Sequence, residues 1–562
     1  MEKYPLPFWV RNWLRACCSS RWPPWPPWRR AGAQLARRRP STSCSSAPCP
    51  RPSHYIFVSA LAGELLRRGH HVTEFVIKPP ASPHPNRTSF VIEGKIYMEE
   101  HTFDLDETAT FNLFEEIYFW YNYSKTHMRT VFQSKAFNDL MKHLRQKKPK
   151  FDVYVMDYWI QEAFIGINYE IGRKPMVAMT PFSLPEDVLK LMGSPYFPSL
   201  LPFNGVGAHG GEPLTFYERA ESLVRWLAYS AHISWSHRPV VNEFIAEHFP
   251  GAPPLEELEK DVAVALVNTN PALHGPIPLV PSIVEVGGMQ ARPAKPLPAD
   301  ILAWVNEGSA PNGFVFMSFG TNVKSAEIDK GRRDAILRAF GRIKQRVLWK
   351  YEEDDILDKL PPNVRVIKWA PQNDILGHPN IRCFVTHNGG LSTQEASYHG
   401  VPIIGVPFFA DQLLYAKKTE RIGVGRTVPY RAITEERFHE ALSDVINNPR
   451  YRENMQRVKR AMRDQKEPPL ERAAWYVEMA ARTGGRAAPA LARAAPRLVP
   501  GLDAGRPGRR GRRRGPRALA ARPHRARALP ALCPQQGPAS APAHQGQGPL
   551  TPQTSARWTR YL

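Results

Sequence analysis

Cysteine is all but missing from the middle of this 562-residue sequence: of its six, only Cys383 lies between residues 54 and 480. That excludes a disulfide framework there, and any metal site built on clustered thiolates. Long apolar runs are missing too. No stretch reaches the roughly 18 residues of a membrane-spanning helix, and the first residues lack the unbroken apolar core of a secretory signal. Taken literally, these absences predict a soluble, unsecreted chain. Two tripeptides, Asn86-Arg87-Thr88 and Asn122-Tyr123-Ser124, hint instead at an endoplasmic-reticulum lumen, although such tripeptides arise often by chance.

Acidic residues are scarce at both ends. Residues 1–53 hold ten Lys and Arg against one acid, and residues 481–562 hold sixteen Arg, no Lys and one acid. The formal net charge of +23 therefore belongs to the ends, and the middle is close to neutral. The ends mix Arg, Pro, Ala, Ser and Gly without a period. Such composition buries too little apolar surface to offset chain entropy, so both are expected to be disordered tails. The abrupt shift also fits text translated outside the true reading frame. Basic arms for nucleic acid or an anionic membrane are the functional alternative, and the neutral middle argues against nucleic acid.

What is present begins at His54. Apolar Leu61, Leu65 and Leu66 mark a helix that stops at Gly69, and a strand is predicted over Val72 to Ile77. Helices follow around 111–147 and over 215–249. "KFDVYVMDYW" reads as a strand ending near Asp157, and "PMVAMT" and "VAVALVNTN" as two more. The Pro/Gly-rich stretch 181–213 is expected to loop over a cleft. A second alternating series starts at "GFVFMSFGT" and runs through "RVLWKY", "VRVIKWAPQ" and "IRCFVT" to helices at 434–446, 450–463 and 468–482. Alternation of this kind predicts two doubly wound α/β domains with a ligand cleft between them.

The chemistry concentrates in the second half. In "FVTHNGGLSTQEASYHGVPIIGVPFFADQ", His387, Asn388, Gly389 and Gly390 form the turn between a strand and a helix. Small turn residues and free N–H groups at a helix start suit phosphate. Upstream, "WAPQ" puts Trp369 and Gln372 at the end of a strand, where an indole can face a nucleobase and the amide can reach base or ribose; packing is the commoner use of such a Trp. Glu395 can grip two ribose hydroxyls or sit as an ordinary solvated helix residue. Asp411 and Gln412 suit the vicinal hydroxyls of a sugar, and Asp411 serves equally as a helix N-cap.

Together, W-x-P-Q, H-x-G, Glu and D-Q between Trp369 and Gln412 resemble the donor-binding signature of the UDP-glycosyltransferases. "GSPYFPSLLPF", "LTFYERAESL", "VEVGG" and "FMSFGTNV" extend the resemblance over about 54–480, and "THNGGLSTQEA" is similar to arthropod members. The resemblance implies a GT-B fold of two Rossmann-like domains facing a cleft. It implies no metal and no cofactor beyond the co-substrate: a hexose, most simply from UDP-glucose, is moved with inversion to a small lipophilic hydroxyl acceptor, as in detoxification. Carried over residue by residue, Trp369 would stack on uracil, Gln372 would touch base or ribose, and Glu395 would bind the ribose. His387, with the backbone at Gly389, Ser392 and Thr393 and the Gly320–Thr321 turn, would hold the diphosphate. Asp411 and Gln412 would bind the sugar. "SHYIF" and "FDVYVMD" would supply a catalytic pair, His54 and Asp157. An acceptor hydroxyl needs a neutral imidazole to take its proton, and a carboxylate on the other ring nitrogen fixes the tautomer.

The expected domains are a tail over 1–53, an acceptor domain over 54–285, a linker over 286–310 and a UDP-sugar domain over 311–463. A C-terminal helix over 464–480 and a tail over 481–562 complete the chain. The acceptor is expected against residues 100–245, and the resemblance leaves room for a homo-oligomer. It also implies an endoplasmic-reticulum membrane, a signal peptide and a terminal membrane helix, none visible in this text. Tyr415 stands where an asparagine is common. "SCSSAPCPRP", with three prolines, replaces the family's first strand and is not expected to be a central strand. A catalytically impaired UDP-sugar binder is the alternative that follows.

Overall fold

The structure, a computed structural model, describes residues 41–47, 52–80, 82–93, 105, 112–159, 161–197, 215–307, 312–321 and 323–485. The expectations for residues 1–40, 198–213 and 486–562 lie outside these. β1 (Thr42–Ala47), β2 (His71–Val76), β3 (Arg87–Val91), β4 (Val153–Asp157), β5 (Met176–Thr180), β6 (Val262–Val267) and β7 (Ile283–Glu285) form one sheet. Its order is β3-β2-β1-β4-β5-β6-β7. β8 (Phe314–Ser318), β9 (Arg346–Lys350), β10 (Val364–Ile367), β11 (Ile381–Thr386), β12 (Ile403–Gly405) and β13 (Gly425–Thr427) form a second, ordered β10-β9-β8-β11-β12-β13. Every pairing is parallel. The strand order reverses between β1 and β4 and again between β8 and β11. Connections leave in opposite directions at such points and open a crevice at the strands' carboxyl ends.

The central strands form where apolar residues run without interruption. β4, β5, β6 and β8 are buried along their whole length, as strands covered on both faces must be. The helices supply the cover. In Lys135–Lys147, Ala136, Phe137, Leu140, Met141 and Leu144 form a stripe at helical spacing, and Ser134 caps the start by accepting from Phe137 N at 3.1 Å. Each large side chain in that stripe is worth roughly 1.5–3 kcal/mol of burial. On the other face, Phe57, Leu61 and Leu65 of the Pro52–Arg67 helix meet Ala473, Ala474 and Val477. The chain's last described helix, Pro469–Thr483, thus returns to the first lobe.

Three expectations need correction. The tail expected over 1–53 ends earlier, because Thr42–Ala47 is a central strand paired with β2 on one side and β4 on the other. All three prolines of "SCSSAPCPRP" lie beyond its last residue: Pro48 and Pro50 follow it, and Pro52 opens the next helix, where a missing N–H costs nothing. The impaired-binder alternative loses its premise with that strand in place. The linker expected over 286–310 contains a helix, Ala299–Asn306, whose Ile301 and Val305 pack with Phe314 and Phe316 in the second lobe's core. The helix expected to close at 480 runs to Thr483, so residues 481–483 are not tail.

Candidate active site

The β8–β11 crevice is built around one imidazole. β11 ends at Thr386, and His387 follows it into a turn made by Asn388, whose φ of 59° is left-handed, and by Gly389. A side chain on Gly320, which follows β8, would approach His387 Cε1 to 2.7 Å, and one on Gly389 would approach Nε2 to 2.3 Å. Glycine is required at both positions. Burial, with Lys350 adding, pushes His387 down to about 3, so the ring is neutral and can give one N–H. The Gly390–His399 helix starts at Gly389, and no side chain caps it. The Gly390 N–H at its start is shared with the Asp411 carboxyl, and Gly390, Leu391 and Ser392 of its first turn line a cavity of about 450 Å³. Lys350, at the end of β9, lines the same wall and donates to Gly320 O at 3.0 Å.

Trp369, also on this cavity, is 69% exposed, a flat indole largely open to solvent. Gln372 donates to Glu395 Oε2 at 2.9 Å and to Ser392 Oγ at 3.1 Å, which ties the three into one polar wall. Glu395 is buried, not the solvated helix residue it could have been, and burial pushes it up to about 7 against the Gln372 hydrogen bond and Arg292.

Asp411 and Gln412 also line the cavity. Asp411 opens the Asp411–Arg421 helix but is not its N-cap; that position is held by Ala410, at a left-handed φ of 54°, and no side chain caps the helix. A non-glycine residue held there stores strain beside a site. Burial pushes Asp411 up to about 7, against the pull of His54 and of the Gly390 and Asp411 backbone. The Gln412 carbonyl accepts from Phe408 N at 2.9 Å, which leaves its NH₂ as the ligand-facing group.

The first lobe closes the cavity. His54 sits in the first turn of its helix, and its Nδ1 lies 2.6 Å from Asp157 Oδ2 at the end of β4. Both are buried. Trp159 stacks on the imidazole, with centroids 5.9 Å apart and planes at 25°, and Phe182 meets it edge-on at 5.3 Å. Ile56 and Trp120 extend this apolar wall.

The cavity thus brings together His54, Gly320, Thr321, Trp369, Gln372, His387, Gly389, Ser392, Glu395, Asp411 and Gln412. Asp157 stands behind His54. Thr393 is not on the wall: it is buried, and its N–H is spent on Gly389 O at 2.9 Å. Several contributors carried no sequence signal. Arg292 makes a bidentate pair with Asp374, at 2.6 and 2.9 Å, that fastens the interlobe segment to the second lobe. Gln394 bonds Gly288 N at 2.6 Å and Asn268 O at 2.8 Å. The hydroxyl of Tyr415 meets His274 Nε2 at 3.1 Å. Lys350 alone had a cue, since "RVLWKY" ends a strand at the same edge as the glycine turn.

Comparison with known proteins agrees with this arrangement. The family model described as "UDP-glucoronosyl and UDP-glucosyl transferase" matches residues 50–498. A UDP-glycosyltransferase of Dactylopius coccus is 30% identical over 449 residues, covering 78% of this chain and 82% of its own. UDP-glucuronosyltransferase 2B7 of Homo sapiens is 29% identical, covering 77% and 83%. A solved UDP-glucosyltransferase of Polygonum tinctorium, with a TM-score of 0.53 at 19% identity, covers 79% of this chain and 99% of its own. The glycosyltransferase VinC, solved with dTDP, scores 0.54 at 17% identity and covers 79% and 100%. The fold is GT-B, and this chain belongs to the UDP-glycosyltransferase family, enzymes that move a sugar from a UDP-sugar to an acceptor.

Proposed function

We propose that this enzyme moves a neutral hexose from UDP-glucose to a hydroxyl of a small lipophilic acceptor, with His54 as general base. The observation that carries this is the buried His54–Asp157 pair opening onto the same cavity as the Trp369–Gln412 groups. Trp369 stacks on uracil, Glu395 and Gln372 take the ribose, and the diphosphate lies against the Gly390 helix start, His387, Gly320 and Thr321. These groups and the Lys350 ammonium, rather than a metal, are assigned the diphosphate charge. The acceptor lies against Ile56, Trp120, Trp159 and Phe182, an apolar wall that suits conjugation of lipophilic compounds. Its hydroxyl oxygen attacks the sugar's anomeric carbon opposite the phosphate, and the proton passes to His54 Nε2. The bond from anomeric carbon to phosphate oxygen breaks, UDP leaves with the electron pair, and the anomeric centre inverts. Asp157 stabilises the imidazolium.

A neutral sugar is favoured by charge. Among the described wall residues the Lys and Arg are Arg292, paired with Asp374, and Lys350, paired with Glu352. Neither is among the groups that act on Asp411, which a uronate carboxylate would meet. Relatives' names span the choice, from glucuronosyl to galactosyl. An endoplasmic-reticulum membrane location belongs to the same proposal. No helix among the described residues is long and apolar enough to cross a membrane. Of the two glycosylation tripeptides, Ser124 is buried inside a helix while Thr88 is exposed, so only Asn86 suits a glycan.

His54→Ala should leave UDP affinity nearly intact and lower transfer from UDP-glucose to a phenol by about 10²–10⁴, the usual worth of a general base. UDP-glucuronate should be the poorer donor in the unmodified enzyme. Full activity of His54→Ala removes the histidine from the mechanism, and a preference for UDP-glucuronate overturns the neutral-sugar assignment.

A further inference from the structure

The His54–Asp157 pair has a third member that the donor signature does not include. Gln161 follows β4 by four residues and precedes a short 3₁₀ turn, Glu162–Ile165, which its side chain does not cap. Instead the side chain turns back. Its Nε2 lies 2.9 Å from Asp157 Oδ2, the same oxygen that faces His54 Nδ1, and 3.1 Å from the Asp157 backbone oxygen. Both partners are acceptors, so the NH₂ end of the amide must face them. Gln161 is fully buried, and so is Asp157, whose other oxygen, Oδ1, makes no hydrogen bond among the described residues. The amide therefore bridges the carboxylate to its own backbone and limits its rotation.

His127, on the Leu113–Phe132 helix, backs this bridge. Burial pushes it down to about 3, and its interaction with the Gln161 amide opposes that shift without closing to an ordinary hydrogen bond. It is neutral, stacked on Tyr123 at 6.1 Å and 10°, and faces Gln161 with no charge to compete for Asp157.

We infer that Gln161 is a positioning residue for the transfer reaction, holding the Asp157 carboxylate in the orientation that orients His54. The inference rests on the proposed role of His54. Without the bridge the carboxylate can rotate, and its Oδ2 carries more charge toward the imidazole. The first effect slows transfer. The second makes His54 harder to deprotonate, so the acid limb of the kcat/KM profile moves up in pH. The titratable groups that act on the pair are Asp157 itself, His127 behind it and Asp411 from the second lobe.

The test uses the full chain, with UDP-glucose and a phenolic acceptor. Gln161→Leu should lower kcat/KM by about tenfold and raise the acid limb by about half a pH unit or more, with UDP affinity unchanged by calorimetry. In an Asp157→Ala background the same change should cost less than about twofold, because nothing is left to hold. If Gln161→Leu is insoluble, Gln161→Asn, which withdraws the amide by one methylene, is read the same way. An equal loss in both backgrounds with an unmoved acid limb would reduce Gln161 to packing. So would a wild-type rate and profile in Gln161→Leu while His54→Ala is inactive. A fully active His54→Ala would instead overturn the general-base assignment itself, which separates the two failures.

Discussion

Two carboxyls in the donor site are held against their own burial. Glu395 and Asp411 are each pushed up to about 7. A protonated carboxyl cannot accept from two vicinal hydroxyls as a carboxylate can. Ribose binding should therefore draw Glu395 into its ionised form, and affinity for UDP should climb as pH rises from about 6 to about 8. UDP lacks the sugar that Asp411 is assigned to, and its own terminal phosphate, which sheds its last proton at about pH 6, titrates alike in enzyme and variant, so the difference from Glu395→Gln isolates Glu395. The ligand-free fold should show the opposite sign. A carboxyl whose folded pKa is raised keeps its proton after the unfolded chain has released it. Its contribution is full below the ordinary carboxylate range and is lost as pH rises through about 7. Glu395→Gln should lessen both the affinity trend and the fall in ligand-free stability. Calorimetry with UDP at three pH values on enzyme and variant checks this; equal trends in the two would take Glu395 off the ribose.

At the scale of elements, what could be read from the sequence divides by where the signal resides. β4, β5, β6 and β8 announce themselves, because strands covered on both faces are mostly apolar, and β11 does so through its apolar "CFV". The Lys135–Lys147 helix is equally plain from its stripe. β1 is not. "TSCSSA" has no large apolar residue, and what makes it a strand is its place between β2 and β4, which is tertiary. The three-residue strands β7 and β13 are too short to carry a period, whereas β12 shows in the apolar run "VPIIGVPFF". The site divides the same way. Trp369 to Gln412 fall in one contiguous stretch and could be read. Gln161 and Arg292 act through partners on other elements, and nothing beside them in the chain marks it; Gln394 lies inside the readable stretch, but its partners, Gly288 and Asn268, lie outside it. Because β1 is bonded on both sides, Ser45→Pro removes an N–H from the middle of the first sheet. That variant should lose transfer while the second lobe still binds UDP, as UDP titration and a transfer assay on the same preparation would show. Transfer at the wild-type rate would mean that the His54 helix does not depend on β1.

Across the whole molecule, the reaction needs an acceptor oxygen, held by the base of one lobe, about 3–3.5 Å from an anomeric carbon held by the other. The register between the lobes is therefore part of the chemistry, and buried and half-buried contacts across the seam set it. Arg292 ties the connecting segment to Asp374, Tyr415 of the second lobe meets His274 of the first, and Gln394 spans the seam between Gly288 N and Asn268 O. Gln394 matters most because it shares a helix with Ser392 and Glu395, so what it anchors is the donor-binding helix itself. Gln394→Ala would strand two buried backbone groups, each at a cost of about 1–3 kcal/mol, and the seam would relax to rehydrate them. The groups assigned to UDP all lie in the second lobe and move together with that helix. Affinity for UDP should therefore stay within about threefold of the unmodified enzyme, while kcat falls by about 10–100-fold, the cost of a misplacement near 1 Å. Equal losses in UDP affinity and kcat would instead make Gln394 part of the donor site. An unchanged kcat would show that the other contacts hold the lobes in register without it.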